Sequence, residues 1–408
     1  MVTNFQCDVL VVGAGPAGAV CAAKLAKEGF EVICVDKEKK PGQAHTPKID
    51  ITENKGIEEI IKELKLDYLA KTNKSLWFSP KDKFTFVSSI HDLFFLRGTS
   101  QDSLDYSLFL AMEDNNVDVW LDSKPIKLNM AFDKVESVLI QKKNKKVLVK
   151  PKLVVVATGE DSFFYKNLGI TERDKTTIVG FGALMSNLSM EDKTTNIFFD
   201  ANYAPGGYFF TGRVSKGIGI AMIVANKAKL KQPIKKSFYD FIKKNSEVYG
   251  VMLGAEPIEY NFGERTISRV SKNVVGNVAL CGDSARTMSP IFAYGVNPAI
   301  RSGYLLAEKI IKHKLGETAL IEYEKELKKQ FKTSYQDLVL RKVYDNLSNA
   351  DFDFLVDTAN YLHSKQHLDK LVDTDEYKIE HLLKALLRKP GKTILLAVKG
   401  LACFFKSS

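Results

Sequence analysis

Two short apolar runs near the start of the chain, residues 8–12 and 31–36, have the pattern of buried β-strands. Their hydrophobic residues follow one another instead of alternating with polar ones, as expected for strands that are covered on both faces. Between the runs lie six residues rich in glycine and then a segment of small residues, 19–28, with a helical composition. The order strand, glycine turn, helix, strand predicts a βαβ unit and therefore a parallel sheet.

The rest of the chain alternates between segments of helical and of strand periodicity. Apolar residues at helical spacing predict further helices at 54–69, 103–115 and 295–313. Apolar or alternating segments predict further strands at 76–90, 117–121, 135–149, 153–157 and 274–281. The basic run Lys142–Lys146 is expected to be the tip of a hairpin, and residues 41–55 are expected to be polar and then helical.

Two longer stretches differ from the first 160 residues in composition. Residues 178–224 combine β-type alternation with many aromatic residues and glycines, which predicts a separate sheet that faces the substrate. From residue 321 onward the chain is mainly helical and basic. The expected fold class is α/β, with a β-rich second region and a helical C-terminal region.

Length and composition place the chain among globular proteins. Its 408 residues suffice for two or three structural units, and 45% hydrophobic with 26% charged residues is ordinary for a folded protein. The formal net charge of +10 suits a phosphorylated substrate, an anionic membrane or a nucleic acid. The five cysteines form no Cys-X-X-Cys pair, which favours a reducing compartment. The sequence predicts neither a secretory signal nor a membrane-spanning helix.

The glycine turn carries the first chemical signal. Gly13 permits the tight turn, Gly15 lets a pyrophosphate approach the backbone, and Gly18 lets the helix pack closely on the strand. Asp36 ends the second strand, where its carboxylate would accept hydrogen bonds from ribose hydroxyls. A strand before the turn and a helix after it predict a dinucleotide site with the phosphates at the helix start. A glycine turn in an unrelated α/β fold is the alternative.

The second signal is the segment Cys281–Ala285, which is followed by a helix that starts near Gly295. An NAD dehydrogenase would continue from the first βαβ unit into further repeats, whereas this chain makes long excursions before it returns here. At this point the sequence resembles the FAD-dependent oxidoreductases of the glutathione-reductase-like superfamily, and within them the geranylgeranyl reductase family. The resemblance rests on four segments, which are 13–18 with Asp36, 96–98, 154–159 and 281–300.

The resemblance implies that the cofactor is FAD. Asp283 would bind the ribityl chain or the pyrophosphate, and an N-cap or turn acid is the alternative. The helix start would face the isoalloxazine edge, where its dipole stabilises negative charge. Arg97, placed before a helix, would also contact the cofactor. The expected cofactor-binding residues are Gly13, Gly15, Ala17, Gly18, Asp36, Lys37, Arg97, Gly159, Asp283, Gly295, Val296 and Asn297.

The resemblance also implies a Rossmann-like FAD-binding domain, of the type shared with p-hydroxybenzoate hydroxylase, that a second domain interrupts. We expect residues 1–75, 91–165 and 270–318 to form this discontinuous FAD-binding domain. Residues 76–90 and 166–269 would form the β-rich substrate-binding domain. Residues 319–408 would form the helical C-terminal region.

The segments 204–210 and 217–220 resemble the Pro-Gly-Gly-Tyr strand and the glycine-rich return strand with which the family lines a long apolar tunnel. By this resemblance, Tyr203, Tyr208 and Phe210 would pack against an isoprenoid chain. Tyr294 would narrow the space beside the flavin. Ordinary sheet core is the alternative for the aromatic residues.

The chain departs from the family in two places. A tryptophan expected after Gly-Tyr is replaced by Phe209 or Phe210, and the loop 41–47 lacks the cysteine that many prenyl reductases carry there. That loop contains His45, which is the one candidate for a proton donor, with an ordinary surface histidine as the alternative. The catalytic residues are otherwise unknown. The other histidines lack metal-ligand spacing, so no metal site is expected.

The resemblance implies an FAD-dependent oxidoreductase that reduces C=C bonds of a geranylgeranyl-type lipid or related polyprenyl substrate. Two alternatives remain open, namely an FAD-dependent monooxygenase or halogenase of the same fold, and a membrane-associated flavin electron-transfer protein. The external electron donor, NADPH or ferredoxin, is undetermined, because only one dinucleotide fingerprint is present. No nucleic-acid partner is expected, since no recognised module accompanies the positive charge.

The stretch 381–405 mixes apolar residues with lysines and an arginine, a composition that suits a membrane interface. A helix packed on the protein is the alternative for this stretch. Because the chain is basic and the expected substrate dissolves in lipid, we expect a cytoplasmic protein that attaches peripherally to the inner face of the cell membrane.

Overall fold

The computed structural model of the protein describes residues 3–72, 74–86, 92–215, 217–331, 335–364, 389 and 391–393. Its strands are β1 (Thr3–Val12), β2 (Val32–Val35), β3 (Lys48–Glu53), β4 (Ala70–Lys71), β5 (Lys74–Phe78), β6 (Lys83–Phe86), β7 (Asp92–Arg97), β8 (Asp118–Trp120), β9 (Ser123–Ala131), β10 (Lys134–Lys142), β11 (Lys145–Val156), β12 (Glu172–Ser186), β13 (Thr194–Phe198), β14 (Tyr208–Ser215), β15 (Ile218–Asn226), β16 (Glu256–Val270), β17 (Val274–Val275) and β18 (Val278–Leu280). Its helices are α1 (Pro16–Lys27), α2 (Glu58–Leu64), α3 (Leu104–Asp114), α4 (Phe163–Leu168), α5 (Ile234–Lys244), α6 (Ser246–Met252), α7 (Val296–His313), α8 (Glu317–Gln330), α9 (Tyr335–Asp345) and α10 (Asn349–Ser364).

The first sheet contains the predicted βαβ unit. It has eight strands in the order β17-β18-β11-β1-β2-β8, and β10 and β9 extend it beside β11. β1 runs parallel to both β2 and β11, and β11 runs parallel to β18. The predicted parallel sheet is confirmed, and the carboxyl ends of these four strands lie together at one edge.

Helix α1 forms because its sequence suits both its start and its buried face. Pro16 occupies the first turn, where its missing N–H needs no partner. Small apolar side chains then allow α1 to pack between α7 and α3 over the sheet. The contact with α7 joins the first βαβ unit to a helix that lies far away in the sequence.

The second sheet is the predicted β-rich layer. Its seven strands have the order β16-β12-β15-β14-β13-β5-β6, and all neighbours are antiparallel except β13 and β5. Side chains alternate along β12, so that Val179 and Phe181 pack against α5 on one face. Ile178 and Gly180 lie on the other face and line a cavity. The sheet thus has one face for the core and one for a ligand.

A third sheet of β3, β7 and β4 corrects one prediction. The expectation that residues 41–55 are polar and then helical is wrong over Lys48–Glu53. Ile49 and Ile51 alternate there with polar residues, and the strand pairs antiparallel with β7. The helix begins later, as α2, and it buries the apolar residues that its spacing predicts.

The strands of the first sheet come from residues 3–35, 118–156 and 274–280, and those of the second from 74–86 and 172–270. The proposed domain boundaries stay a prediction. Of the stretch 381–405, only residues 389 and 391–393 are described, so the predicted interfacial segment lies outside the described residues. Within the described part of the chain, no helix combines the length and the apolar character needed to cross a membrane.

Candidate functional site

A cavity of about 1250 Å³ lies between the first and second sheets. At one end it is lined by Val12, Val35, Ala157 and Cys281, which stand at or just after the carboxyl ends of β1, β2, β11 and β18. Open α/β sheets bind their ligands in the crevice outside these strand ends. At the other end the cavity reaches the apolar face of the seven-stranded sheet. One continuous space therefore joins a nucleotide-type crevice to an apolar wall.

The glycine turn faces this space. A side chain at Gly15 would meet no atom within 4 Å, so the backbone there is open for a ligand to approach. Asp36 accepts hydrogen bonds from the backbone N–H of Ala14 (2.7 Å) and of Glu38 (2.8 Å). Its carboxylate oxygens keep further lone pairs for ribose hydroxyls. The arrangement suits the adenosine and pyrophosphate of a dinucleotide.

Asp283 provides an independent test of whether the residues fit FAD. Its carboxylate is buried, and its Oδ1 has no hydrogen-bond partner among the described residues. Burial raises the pKa of the Asp283 carboxyl above its ordinary value. A buried oxygen without a donor is unfavourable unless a ligand supplies one. A ribityl hydroxyl is such a donor, so the site fits the cofactor that the sequence predicts.

The structure brings fourteen of the predicted site residues to this cavity. They are Gly13, Gly15, Ala17, Asp36, Lys37, His45, Arg97, Gly159, Tyr208, Phe210, Asp283, Tyr294, Gly295 and Val296. Their individual roles stay predictions. Gly18 does not line the cavity, because it packs against the carbonyl oxygen of Gly13 and the methyl group of Ala157. That position suits the close helix packing expected of the third glycine.

Two predicted residues have other surroundings. The side chain of Asn297 donates to the carbonyl oxygens of Glu53 (2.7 Å) and Lys55 (2.9 Å), so its amide joins β3 to α7 and does not point to the flavin site. Tyr203 packs against Phe241 on the α5 side of the seven-stranded sheet. Its assignment to the substrate wall is corrected, since the sheet separates it from the cavity.

Arg97 is held in a buried ion cluster. Its Nε and Nη2 donate to the two oxygens of Asp105 at 2.9 and 2.7 Å, and its Nη1 donates to Asp50 at 3.0 Å. Burial opposes ionisation of both acids. Lys48 and then Arg97 nevertheless hold the pKa of Asp50 below the ordinary range, and Arg97 does the same for Asp105. The guanidinium is thus committed to protein partners, and it orders the wall of the cavity beside β3 and β7.

His45 also belongs to this cluster. Its Nε2 lies 2.9 Å from Nη2 of Arg97, which can only donate, so Nε2 accepts and the imidazole is neutral in this arrangement. Burial, and then the charge of Arg97, lower the pKa of His45 from 6.5 to about 4. The sequence did not reveal that His45, the candidate proton donor, contacts Arg97. The charge of Arg97 disfavours the protonated form of His45.

The lowered pKa predicts a pH dependence of stability. Between pH 6.5 and about 4 the unfolded chain binds a proton at His45 before the folded chain does, so stability falls as the pH falls through this window. We expect the melting temperature of His45→Gln, which keeps an acceptor for Arg97 but cannot titrate, to fall less steeply. Melting curves between about pH 5 and pH 6.5 avoid most of the range in which Asp50 and Asp105 take up protons. Equal slopes in the two proteins would contradict the prediction.

Arg341 is a residue of this region that the sequence analysis missed. It lies on α9, almost fully buried, and its Nη1 donates to the carbonyl oxygens of Pro290 (3.2 Å) and Ile291 (3.1 Å). Its Nη2 donates to the carbonyl of Gly206 and to Asp345. One side chain thus ties the loop before α7 to the turn before β14. A charged residue on the apolar stripe of a helix was the available signal.

Comparison with known proteins agrees with this geometry. A digeranylgeranylglycerophospholipid reductase from Methanococcoides burtonii is 25% identical over 379 residues, which cover 86% of this chain and 86% of the relative. The structure of a geranylgeranyl bacteriochlorophyll reductase-like protein from Thermoplasma acidophilum superposes with a TM-score of 0.80 at 22% identity, covering 97% and 100% of the two chains. A flavin-dependent brominase superposes with a TM-score of 0.74 at 17% identity, covering 95% and 99%.

The fold is that of a dinucleotide-binding flavoprotein. Its parallel sheet carries the glycine turn after β1, an acid placed to bind ribose after β2 (Asp36) and a second, buried acid after β18 (Asp283). The chain matches the FAD binding domain family over residues 6–333 and belongs to that family. The predicted FAD cofactor and the predicted class, a flavin-dependent oxidoreductase, are confirmed. The predicted resemblance to the geranylgeranyl reductases is confirmed as well, since similar proteins match nearly the whole chain.

Proposed function

We propose that this protein is an FAD-dependent reductase that saturates C=C bonds of a geranylgeranyl-type or related polyprenyl lipid. The observation that carries the proposal is the single cavity that runs from the flavin site to the apolar face of the seven-stranded sheet. Bound FAD, once reduced, supplies hydride to a carbon of the double bond. The protein supplies the binding, the orientation and the exclusion of water.

The wall of the second sheet supports an isoprenoid substrate. It presents Trp77, Ile197, Tyr208, Phe210 and Met222, which offer apolar and aromatic surface to a ligand with few polar handles. The cavity is also larger than the roughly 300–1000 Å³ usual for one drug-sized ligand, as a cofactor together with a long chain requires. The names of similar proteins, a digeranylgeranylglycerophospholipid reductase among them, point to the same substrate class.

Anaerobic turnover tests the proposal. Purified protein with FAD is reduced by dithionite and mixed with a geranylgeranyl lipid in vesicles. The mass of the lipid product is then measured by mass spectrometry. We expect reoxidation of the flavin and a gain of two hydrogens per reduced bond. A product that forms only with O₂ would favour the monooxygenase or halogenase alternative. Reoxidation by a protein acceptor but by no isoprenoid would favour the electron-transfer alternative.

A bulky residue in the apolar wall should block the substrate and spare the cofactor. Gly180 lines the cavity on β12, and a Cβ there would meet no atom closer than 3.8 Å, so the backbone can accept a side chain. We expect Gly180→Phe to bind FAD normally but to reduce a long isoprenoid at least about tenfold more slowly. The measurement is flavin content together with the rate of lipid reduction.

Gly250→Phe is the matched control for this variant. Gly250 is exposed on α6, does not line the cavity, and has no atom within 4 Å of an added Cβ. It should reduce the lipid at the wild-type rate. Equal rates for Gly180→Phe and Gly250→Phe would argue that the substrate does not use the apolar wall.

The proposal includes an external donor, NADPH or ferredoxin, and peripheral attachment to a membrane. The net charge of +10 supports attraction to anionic lipid. The vesicles of the turnover assay allow this part to be checked directly, since bound protein sediments with them. Protein that stays in the supernatant with anionic vesicles would count against attachment.

A further inference from the structure

A hydroxyl–carboxylate pair lies in the wall of the cavity next to the expected flavin site. The phenol of Tyr294 donates a hydrogen bond to Oε1 of Glu53 at 2.9 Å, and both side chains line the cavity. Tyr294 immediately precedes Gly295 and the first turn of α7, which the family resemblance places at the isoalloxazine edge. The pair therefore lines the part of the cavity in which the reacting part of the flavin is expected.

Hydrogen bonds from Asn297 hold the backbone at Glu53. Asn297 donates from its side-chain amide to the carbonyl oxygens of Glu53 and Lys55, and its backbone N–H lies 3.3 Å from the hydroxyl of Thr52. These bonds fasten the end of β3 to the start of α7. The backbone that carries Glu53 is thus joined to the helix start that follows Tyr294.

Tyr294 is held by its loop. The backbone N–H of Ser289 donates to the carbonyl of Tyr294 (3.1 Å), and that of Ala293 donates to the carbonyl of Ser289 (3.0 Å). The phenol of Tyr208 donates to the carbonyl of Phe292 (2.6 Å), and Arg341 binds the two carbonyls before it. These bonds fix the backbone of the loop that carries Tyr294, and the bond to Glu53 orients its phenol.

The surroundings keep the phenol protonated. Burial, and then the Glu53 carboxylate, raise the pKa of Tyr294 above its ordinary value, and Asp92 adds to the effect. Arg301 is the cation that interacts electrostatically with both Glu53 and Tyr294. At neutral pH the phenol oxygen of Tyr294 therefore carries a proton.

We propose that Tyr294 is the proton donor of the reduction and that Glu53 returns the proton to it. The inference rests on the proposed function. Reduced FAD would supply hydride to one alkene carbon in the same step in which the other carbon takes the phenol proton. The π electrons would form the new C–H bond to that proton, and the electron pair of the O–H bond would stay on the Tyr294 oxygen. Glu53 then passes a proton from solvent to the phenolate, so that the cofactor is oxidised and the double bond reduced.

Other hydroxyl and imidazole groups of the cavity are less suited to this role. His45 is neutral, and its Nε2 accepts from Arg97. The hydroxyl of Tyr208 is committed to the carbonyl of Phe292 and holds the loop. Tyr294, in contrast, has a carboxylate beside it that can be reloaded with a proton and that lies in the same cavity.

The test compares Tyr294→Phe and Glu53→Gln with the wild type as FAD-loaded full-length proteins. Flavin content and the rate of reoxidation by ferricyanide, which takes electrons but no proton to carbon, should stay unchanged in both variants. Reoxidation by a geranylgeranyl lipid should slow by about 100-fold or more in Tyr294→Phe. It should slow less in Glu53→Gln, whose amide oxygen still accepts the hydroxyl but cannot return a proton.

The position of solvent deuterium in the product is a second measurement, and it should not change if Tyr294 has only a structural role. In D₂O the wild type should place solvent deuterium on one face of the reduced carbon, and Tyr294→Phe should place it on both faces. Wild-type rates and one-sided labelling in Tyr294→Phe would overturn the inference and leave the proposed function intact. Failure of the wild type itself to reduce any isoprenoid would overturn both, so the two failures are told apart by the wild-type arm.

Discussion

Replacing Arg341 with methionine is expected to lower the free energy of unfolding by about 3 to 5 kcal/mol. The Arg341 side chain is 1% exposed and that of its partner Asp345 is 6% exposed. Methionine fills much of the same space but leaves a buried carboxylate without its cation. It also removes the donors for the carbonyls of Gly206, Pro290 and Ile291. Chemical denaturation at fixed pH measures the effect through the shift of the midpoint.

A second ion pair in the chain provides the matched control. Lys236 and Asp240 have the same i, i+4 spacing on α5, but their side chains are 61% and 28% exposed. Because exposed pairs of this kind contribute about 0.3 to 0.5 kcal/mol, Lys236→Met should change stability little. If both variants shift the midpoint equally, Arg341 is not an important link between α9 and the flavin loop. Replacing Asp345 together with Arg341 by apolar residues should recover part of the loss, since no charge then remains buried alone.

Local signals explain why much of the nucleotide crevice could be predicted from the sequence. The turn at residues 13–18 requires glycine for backbone reasons, and Asp36 stands one strand further on, so neither depends on distant contacts. Asp283 follows an apolar strand and precedes a helix, which makes it recognisable in the same way. The parallel sheet then brings these strand ends together, because parallel strands share one edge.

The polar contacts across the cavity could not be predicted in this manner. Glu53 meets Tyr294 only because β3 joins a small sheet, whereas the sequence was expected to be polar and then helical there. Asn297 resembles a helix-start residue in the sequence, yet its amide turns to the end of β3. Tyr203 lies in the turn before β14, and the sequence does not show which face of the sheet its ring packs on. In the structure the ring packs against Phe241 of α5. Such contacts depend on tertiary packing, which a single sequence does not encode locally.

Replacing Gly13 with alanine is expected to abolish FAD binding, with affinity at least about 100-fold weaker, or about 2.7 kcal/mol. Gly13 has a φ of +104°, which L side chains rarely adopt, and its Cβ would lie 2.3 Å from the carbonyl oxygen of Ala157. The turn would have to move away from β11, and the open backbone at Gly15 and the start of α1 would move with it. The variant should purify without the visible absorbance of bound flavin and should take up little FAD when it is supplied in excess.

Gly29 separates the clash from the backbone strain. Its φ of +85° lies in the same left-handed region, but a Cβ there would meet no atom within 4 Å. Gly29→Ala should therefore lose about 1 to 2 kcal/mol of stability and still bind FAD with the wild-type affinity. If Gly13→Ala also binds FAD as tightly as the wild type, the turn does not hold the cofactor phosphates. If both variants lose the flavin, strain and not the contact with Ala157 is responsible. The pair of variants thus tests whether the close approach of β1 and β11 shapes the site, which is the feature on which the assignment of the crevice depends.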